Sequence, residues 1–205
     1  MLELTKKEYE SFRFGAQVIA GDQHGDKVLL LADGTYLKLF RIKRLVTSAR
    51  FSPYWRRFAR NARQLRELGV PTVRVREIYD IPHLVRTGVH YDPLPGMTLR
   101  QIFDLDADLV RKLGDFLTVL HDRGVYLRSL HLGNVVLTTE GALGLIDIAD
   151  MRIRQRALSS RLRVRNYRHL CRYEEDRARV AAHADDFLMH CDPAIKPKIV
   201  IMLSV

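Results

Sequence analysis

The chain has 205 residues, 47% hydrophobic and 28% charged, which is enough to bury a core in one compact domain or in two lobes that share a cleft. Its two cysteines are too few for a disulfide framework, and no apolar run reaches the ~18–20 residues of a membrane-spanning helix. The charged N-terminus lacks a secretory pattern, so we expect a cytoplasmic protein with reduced thiols. The net charge of +10 favours polyanions such as nucleic acid, acidic lipid or a phosphorylated glycolipid.

The first third of the chain predicts strands that are joined by tight turns. Residues 16–20 form a short apolar strand, and the polar stretch 21–26 is expected to turn the chain into a strand at 27–32 (KVLLLA). The Asp-Gly pair at 33–34 then precedes residues 35–41 (TYLKLFR). Because Asp-Gly between two apolar runs is a strong hairpin signal, these two strands are predicted to pair.

A helix with clear boundaries is predicted next. Ser52 can cap its first turn, Pro53 suits its first helical position, and Gly69 ends it. Four apolar side chains recur at spacings of three and four and form one stripe: Trp55, Phe58, Ala62 and Leu65. Strands are expected over residues 72–81 and 83–91.

The second half is predicted to be mostly helical. Apolar residues form a wide face on a helix that ends near Gly124: Leu109, Val110, Leu113, Phe116, Leu117 and Leu120. Two short strands follow at 135–137 and 143–146, and a last helix is predicted over 173–190. Strands first and helices later, with a Pro/Gly loop at 92–96 between them, predict the α+β class.

Three polar residues stand in an order that resembles protein-kinase-like folds. Lys38 lies on the third predicted strand (YLKLF), Asn134 follows the long helix (SLHLGNVVL), and Asp147 closes the last hairpin (LIDIAD). Such folds place a lysine, a catalytic-loop asparagine and a magnesium-binding aspartate on these elements. The resemblance implies a bilobal fold, with a small antiparallel β-sheet N-lobe at residues 1–91 and a mainly helical C-lobe at residues 92–205.

Phosphate chemistry gives each of these residues an expected role. The strand lysine holds phosphates, and magnesium prefers hard oxygen ligands such as the carboxylate of Asp147 and the amide oxygen of Asn134. The turn that contains Gly21 and Gly25 is expected to cover the phosphates with backbone N–H groups. The backbone around Tyr91 is expected to face the adenine. The expected cofactors are therefore ATP and Mg²⁺.

Within that superfamily the chain resembles the bacterial lipopolysaccharide core sugar kinases, which act on heptose or Kdo. The resemblance runs roughly from Gly15 to Arg177 and rests on these segments: LKLFRIKRL, RRFARNARQLRELGVPTV, YDPLPGMTLR, LHDRGVYLRSLHLGNVVL and GLIDIADMRI. It implies an ATP-dependent phosphotransferase with an alcohol group as acceptor. The implied acceptor is a phosphorylated glycolipid or sugar at the cytoplasmic face of the inner membrane, where the protein would contact anionic lipid.

Two positions depart from the kinase pattern. An aspartate five residues before the asparagine usually accepts the substrate proton, and here that position is Ser129, which has no useful basicity near neutral pH. Asn61 stands where a helix glutamate usually pairs with the strand lysine, so Lys38 is expected to be held less firmly. Both departures leave open a nucleotide-binding pseudokinase that regulates or scaffolds envelope assembly.

One histidine and a second aspartate are the candidate substitutes for the missing base. His131, in the same loop as Ser129, is expected to contact the γ-phosphate, to take the proton or to order the loop through a hydrogen bond. Asp150 is a weaker candidate base. His121 is expected to be a buried structural histidine.

Arginine is concentrated late in the chain. Ten arginines lie between residues 152 and 179: Arg152, Arg154, Arg156, Arg161, Arg163, Arg165, Arg168, Arg172, Arg177 and Arg179. They suit a phosphorylated acceptor or an anionic leaflet. A small kinase or ATPase associated with RNA stays an alternative, although no zinc finger, aromatic platform or recognition helix is evident. The apolar ending IVIMLSV packs on the large lobe or touches a partner or membrane.

Overall fold

A computed structural model describes residues 1–42 and 53–204 of the chain. It confirms the predicted mixed α+β class, and the predicted cap Ser52 lies outside the described residues. The N-terminal sheet contains six strands: β1 (Leu2–Glu3), β2 (Gln17–Asp22), β3 (Gly25–Leu30), β4 (Tyr36–Arg41), β5 (Arg74–Ile81) and β6 (Arg86–Asp92). Their spatial order is β1-β5-β6-β4-β3-β2, and every neighbouring pair is antiparallel except β1 with β5.

The two N-terminal hairpins differ in how well the sequence predicts them. The turn at Asp33 and Gly34 joins β3 to β4 as expected, with the Asp33 carboxylate accepting from the backbone N–H of Thr35 at 3.0 Å. The predicted broad turn at 21–26 is wrong, because Asp22 pairs with Gly25 and only two residues remain in the loop. Gly25 has a φ of +103°, which a residue with a side chain rarely adopts, and this conformation lets the hairpin close so tightly.

A helix stands where the sequence interpretation had only strands and turns. Helix α1 (Lys6–Arg13) is capped by Thr5, whose hydroxyl accepts from the backbone N–H of Glu8 while the Glu8 carboxylate accepts from that of Thr5. This reciprocal capping box is visible in the sequence as Thr-x-x-Glu. Side chains of α1 cover one face of the sheet, where they pack on a small buried cluster that includes Leu37.

The helix before β5 confirms the predicted apolar stripe and shifts its start. Helix α2 (Tyr54–Glu67) buries Phe58 and Leu65. Pro53 lies at the N-cap, one position before the helix, and not at the first helical position as predicted. Gly69, with a φ of +68°, follows its end.

The C-terminal part contains five helices and five short strands. The helices are α3 (Ala107–Asp122), α4 (Ser160–Leu170), α5 (Glu174–Ala181), α6 (Ala184–Phe187) and α7 (Lys196–Leu203). The strands are β7 (Gly96–Thr98), β8 (Val125–Tyr126), β9 (Val135–Thr138), β10 (Leu143–Leu145) and β11 (Arg152–Ile153). They pair in the orders β10-β9-β7 and β11-β8.

Three features of this part correct the sequence interpretation. The predicted helix over residues 173–190 is broken into α5 and α6 at Ala182 and His183. Helices α4 and α7 were not predicted, because arginine dominates the first and the second is too uniformly apolar to show a helical period. Helix α7 packs on α4 and α5 and buries Ile199 and Leu203, which accounts for part of the apolar ending.

One large core joins the sheet to the helices. Phe58 from α2 and Val89 from β6 belong to the same buried cluster as Leu113 and Leu117 from α3. This shared core fixes the sheet relative to the loop that follows α3, where the candidate site lies. In the described ranges, each helix is too short or too polar to cross a bilayer.

Candidate functional site

The predicted strand lysine and the predicted metal-binding aspartate form an ion pair. Lys38 Nζ lies 2.6 Å from Asp147 Oδ1, and these residues are 109 positions apart in the chain. The lysine side chain is 19% exposed and the aspartate 50%, so the pair lies where buried structure meets solvent. Strand β4 holds Lys38 between Val28 on β3 and Val89 on β6, which makes its position rigid.

The backbone of Asp147 has an unusual conformation. Its φ and ψ are 51° and 50°, in the left-handed region, at the start of a 3₁₀ turn formed by Ile148–Asp150. A residue other than glycine costs about 1–3 kcal/mol there, and such strain is concentrated at functional sites. Ser129 donates its hydroxyl to the backbone carbonyl of Asp147 at 3.3 Å. The loop that contains Ser129 thus touches the residue that pairs with Lys38.

Asn134 is linked to the same group through Ser129. The buried Asn134 Nδ2 donates to the carbonyl oxygen of Ser129 at 2.8 Å, and the Asn134 carbonyl accepts from the backbone N–H of Ile146 at 3.1 Å. The side-chain bond orients the amide so that Oδ1 is the oxygen left for a cation. A carboxylate and an amide oxygen are hard donors that fit Mg²⁺, which keeps several waters.

Among residues 1–42 and 53–204, no group of three or more His, Cys, Asp and Glu side chains is arranged to hold a metal ion. The donor set of Asp147 and Asn134 suits a cation that also binds a phosphate, because phosphate oxygens and waters supply the remaining ligands.

His131 lies in the same loop, but its ring packs away from any hydrogen-bond partner. Its Nδ1 is buried and has no partner among the described residues, so the expected loop-ordering bond is not made through this atom. The ring packs edge-on against Tyr173, with centroids 5.4 Å apart. Burial, and then the nearby Arg100 guanidinium, lower the pKa of His131, so the imidazole is neutral at neutral pH.

This loop is held by an ion pair with a buried carboxylate, which no motif in the sequence indicates. The guanidinium of Arg100 donates from Nε and Nη2 to the two carboxylate oxygens of Asp176, at 2.9 and 2.6 Å. Asp176 is 1% exposed and also accepts from the backbone N–H of Leu132 at 2.9 Å. Helix α5 thereby fixes the segment between Ser129 and Asn134. The local sequence of α5 does not distinguish Asp176 from the two glutamates that precede it.

Asn61 performs a different task from the glutamate whose place it takes. Its fully buried Nδ2 donates to the carbonyls of Ile148 at 2.7 Å and Met151 at 3.0 Å. Its Oδ1 finds no partner in the described part of the chain. Asn61 therefore fastens α2 to the segment after Asp147. Lys38, expected to be held loosely, is held by Asp147 itself.

The hairpin of Gly21 and Gly25 lies beside Lys38. Its Asp22 and His24 line an open cavity of about 560 Å³ together with Lys38 and further cationic side chains: Lys27, Arg41 and Arg86. The Arg86 guanidinium donates to the backbone carbonyls of His24 and Asp26 and so ties the hairpin to β6. The cavity has the charge that a phosphate chain needs.

Two further residues singled out in the sequence, Tyr91 and His121, are buried. The ring of Tyr91 stacks on Tyr36 at 5.6 Å between centroids and contacts Phe58 at 5.3 Å, so only its backbone is left to face a ligand. Burial raises its pKa. His121 is buried, as expected, and its Nε2 lies 3.1 Å from Asn166 Oδ1. Burial lowers the pKa of His121 to about 4.

Comparison with known proteins identifies a fold and no family. No protein-family profile matches the chain, and no curated protein matches it. Among solved structures, the chain is similar to the crystal structure of an aminoglycoside-3'-phosphotransferase of type VIII, with a TM-score of 0.64 and 16% sequence identity. The similarity covers 92% of each chain. At this identity the similarity shows the fold alone, which the chain shares with that phosphotransferase.

Proposed function

We propose that this protein is an ATP-dependent phosphotransferase that acts on an alcohol group of a sugar. The observation that carries this proposal is a chain of contacts of 2.6–3.3 Å. They join Asp147, Ser129 and Asn134 to one another and to Lys38, which is 109 positions from Asp147. The kinase-like fold supports this proposal. We propose further that residues 1–91 and 92–205 act as two lobes, with the nucleotide in the cleft between them.

In this proposal, different residues bind the phosphates, the magnesium and the adenine. Lys38 binds the phosphates as a point charge, and Asp147 with Asn134 Oδ1 holds the magnesium. Bound magnesium supplies charge neutralisation between phosphate oxygens. The hairpin of Gly21 and Gly25 covers the phosphates, and the backbone near Tyr91 faces the adenine.

The position of Ser129 limits how the acceptor is activated. Phosphoryl transfer depends mostly on positioning and on stabilisation of charge, so transfer without a strong base is chemically reasonable. Ser129 orients the acceptor hydroxyl beside Asp147. His131 is the candidate proton acceptor, because its lowered pKa keeps the imidazole neutral at neutral pH.

We propose a lipopolysaccharide core sugar as the acceptor, phosphorylated at the cytoplasmic face of the inner membrane. The motif resemblance supports this choice, and so does the net charge of +10, which favours an anionic acceptor. The same charge disfavours a polyamine-bearing sugar, which would be repelled. The fold shared with an aminoglycoside phosphotransferase therefore does not imply the same acceptor.

Calorimetric titration with ATP, with and without magnesium, tests the nucleotide site. We expect magnesium-dependent binding that weakens at least about tenfold, or 1.4 kcal/mol, in Asp147→Ala and in Lys38→Ala. Glu140→Ala is the matched control, because this exposed carboxylate lies in the turn of the β9–β10 hairpin. Unchanged binding in Asp147→Ala would refute the site.

A pseudokinase is the second candidate, and Ser129 is the observation that favours it. Such a protein would bind nucleotide and regulate envelope assembly without transferring phosphate. A single-turnover assay with γ-labelled ATP and isolated lipopolysaccharide core acceptor separates the two. Label transfer that disappears in Asp147→Ala would exclude the pseudokinase, and binding without transfer would exclude the enzyme.

A further inference from the structure

Three adjoining cavities form a continuous basic groove on the C-terminal part, which we call the arginine groove. The cavities have volumes of about 420, 270 and 690 Å³, and the first two share Arg152 and Arg154 while the last two share Arg165. Their cationic lining residues come from α2, the segment after β8, β11 and the residue that follows it, α4 and α7: Arg57, Arg60, Arg128, Arg152, Arg154, Arg161, Arg165, Arg168 and Lys198.

The charge of the arginine groove is uncompensated within the described chain. No acidic residue lines any of the three cavities, and within residues 1–42 and 53–204 none of the eight groove arginines forms an ion pair. The groove arginines also lower the pKa of His169. Burial is the largest cause of this lowering, and the charges of Arg165 and Arg128 are the next largest. Clustered guanidinium groups repel one another, so this arrangement is suited to an external anion.

Two of the three cavities are lined by residues that adjoin the candidate site in the sequence. Arg128, in its middle cavity, directly precedes Ser129 in the chain. The first cavity is lined by residues 151–154, four positions after Asp147, and Asn61 fastens that segment to α2 through the carbonyl of Met151. A ligand that occupies the groove therefore contacts segments that adjoin, along the chain, the residues proposed to bind the transferred phosphate.

We infer that the arginine groove binds phosphate groups already present on the sugar acceptor. This inference rests on the proposed phosphotransferase function and specifies its acceptor as a phosphorylated saccharide. Guanidinium groups bind phosphate oxygens through paired N–H donors, and each cavity is close to or within the ~300–1,000 Å³ range of small-ligand sites.

The shape and lining of the groove favour this occupant over two others. A flat bilayer does not enter cavities, and none of the lining residues is a strongly exposed apolar side chain that would insert into lipid. Single-stranded nucleic acid usually stacks its bases on exposed aromatic side chains, whereas Tyr126, the aromatic residue in the lining, is buried. Phosphates on a compact saccharide need neither feature.

The test compares a glucosamine disaccharide that carries two phosphates with the same disaccharide without phosphate. We expect calorimetry in the absence of nucleotide to detect binding of the bisphosphate alone, weakened by salt. The Arg154→Gln/Arg165→Gln variant is expected to lose at least about tenfold in affinity. Arg63→Gln, on the exposed side of α2 and outside the groove lining, is the control and is expected to bind normally. Equal binding of the two disaccharides, or no effect of the double variant, would overturn the inference.

Two further binding measurements test other occupants of the groove. A third measurement separates this inference from the proposed function. A 20-base RNA hairpin and phosphatidylglycerol vesicles are tested against the same double variant. Groove-dependent binding of either, without binding of the bisphosphate, would overturn the inference in favour of that partner. MgATP binding is measured in parallel. If the wild-type protein binds the bisphosphate but no MgATP, the phosphate groove stands and the phosphotransferase function fails.

Discussion

Charged side chains form ion pairs in the candidate site, whereas the arginines of the arginine groove form none within the described residues. In the site, Lys38 pairs with Asp147 and Arg100 pairs with the buried Asp176, each at 2.6 Å. In the groove, eight arginines line adjoining cavities without an ion pair inside the described ranges. Helix α4 contains both patterns, because Arg163 lies 2.7 Å from Asp122 whereas Arg165 lines the groove.

The difference separates charges that hold the fold from charges available to a ligand. A buried pair depends on both partners, because removing one leaves the other poorly solvated. An exposed arginine without a partner contributes little to folding, and its like-charged neighbours make it slightly unfavourable. Substitution of the buried Asp176 should therefore change the stability of the fold, whereas substitution of the groove arginines should change the binding of anions.

The strongest test breaks the buried pair. Asp176→Ala removes the carboxylate that accepts from Arg100 and from the backbone N–H of Leu132. Because Arg100 is partly exposed and the Leu132 N–H loses its acceptor, we expect the free energy of unfolding to fall by about 2–4 kcal/mol in urea denaturation. Glu175→Ala, on the exposed adjacent position, should change it by less than about 0.5 kcal/mol. A similar small loss in both variants would show that the clamp on the loop is not a stabilising element.

The second test uses pH to weaken the attachment of the groove helix. His121 bonds to Asn166 of α4, and burial lowers its pKa to about 4 from an ordinary value of 6.5. The unfolded chain therefore binds this proton more readily. The stability contributed by neutral His121 is complete above pH 6.5 and is lost as the pH falls towards 4. We expect a loss of up to about 3 kcal/mol.

Urea denaturation at several pH values measures this effect. His121→Gln should flatten the slope of stability between pH 4 and 6.5, because glutamine does not titrate. His24→Gln is the control, since this histidine is exposed on the distant hairpin. An equal slope in wild-type protein and in His121→Gln would contradict the assignment.

The smallest test compares two arginines on one helix. Arg163→Gln removes a pair with Asp122 and a bond from Nε to the carbonyl of Leu158 at 2.9 Å, so we expect a loss of about 1 kcal/mol. Arg165→Gln should leave stability within about 0.5 kcal/mol of wild type. Thermal unfolding of both variants measures the difference. A greater loss for Arg165→Gln would show that the groove arginines support the fold.

Much of the fold could be predicted because local patterns specify it. The apolar stripe of α2 and the Asp-Gly turn each act within a few residues. The hairpin at Gly21 was predicted too wide, because polar residues at a strand end are not distinguished from a loop by composition. Helix α4 was interpreted only as a basic surface, since tertiary packing of Tyr167 and Leu170 orders a segment that arginine dominates.

The contacts of the candidate site also include some that local patterns indicate and some that arise only from tertiary packing. Lys38, Asn134 and Asp147 were selected because they fall at fixed places on successive elements, and the structure joins them by direct contacts or through Ser129. Arg100 and Asp176 lie 76 positions apart and follow no motif, so their pairing emerges only from the packing of α5 against the loop. The catalytic roles of Lys38, Asn134 and Asp147 stay predictions.

The pairing of Lys38 with Asp147 has a consequence for the resting protein. An aspartate carboxylate that protrudes into solvent attracts whichever divalent ion is abundant. Here an ammonium group already occupies one of its oxygens, so an incoming ion must compete with a tethered positive charge. A free cation would be bound only by oxygens of Asp147 and Asn134, which is a weak donor set for displacing the lysine. In the proposed function, a cation that arrives on a phosphate chain would give the displaced ammonium a new anion, so the exchange would favour the metal-bound nucleotide over free metal.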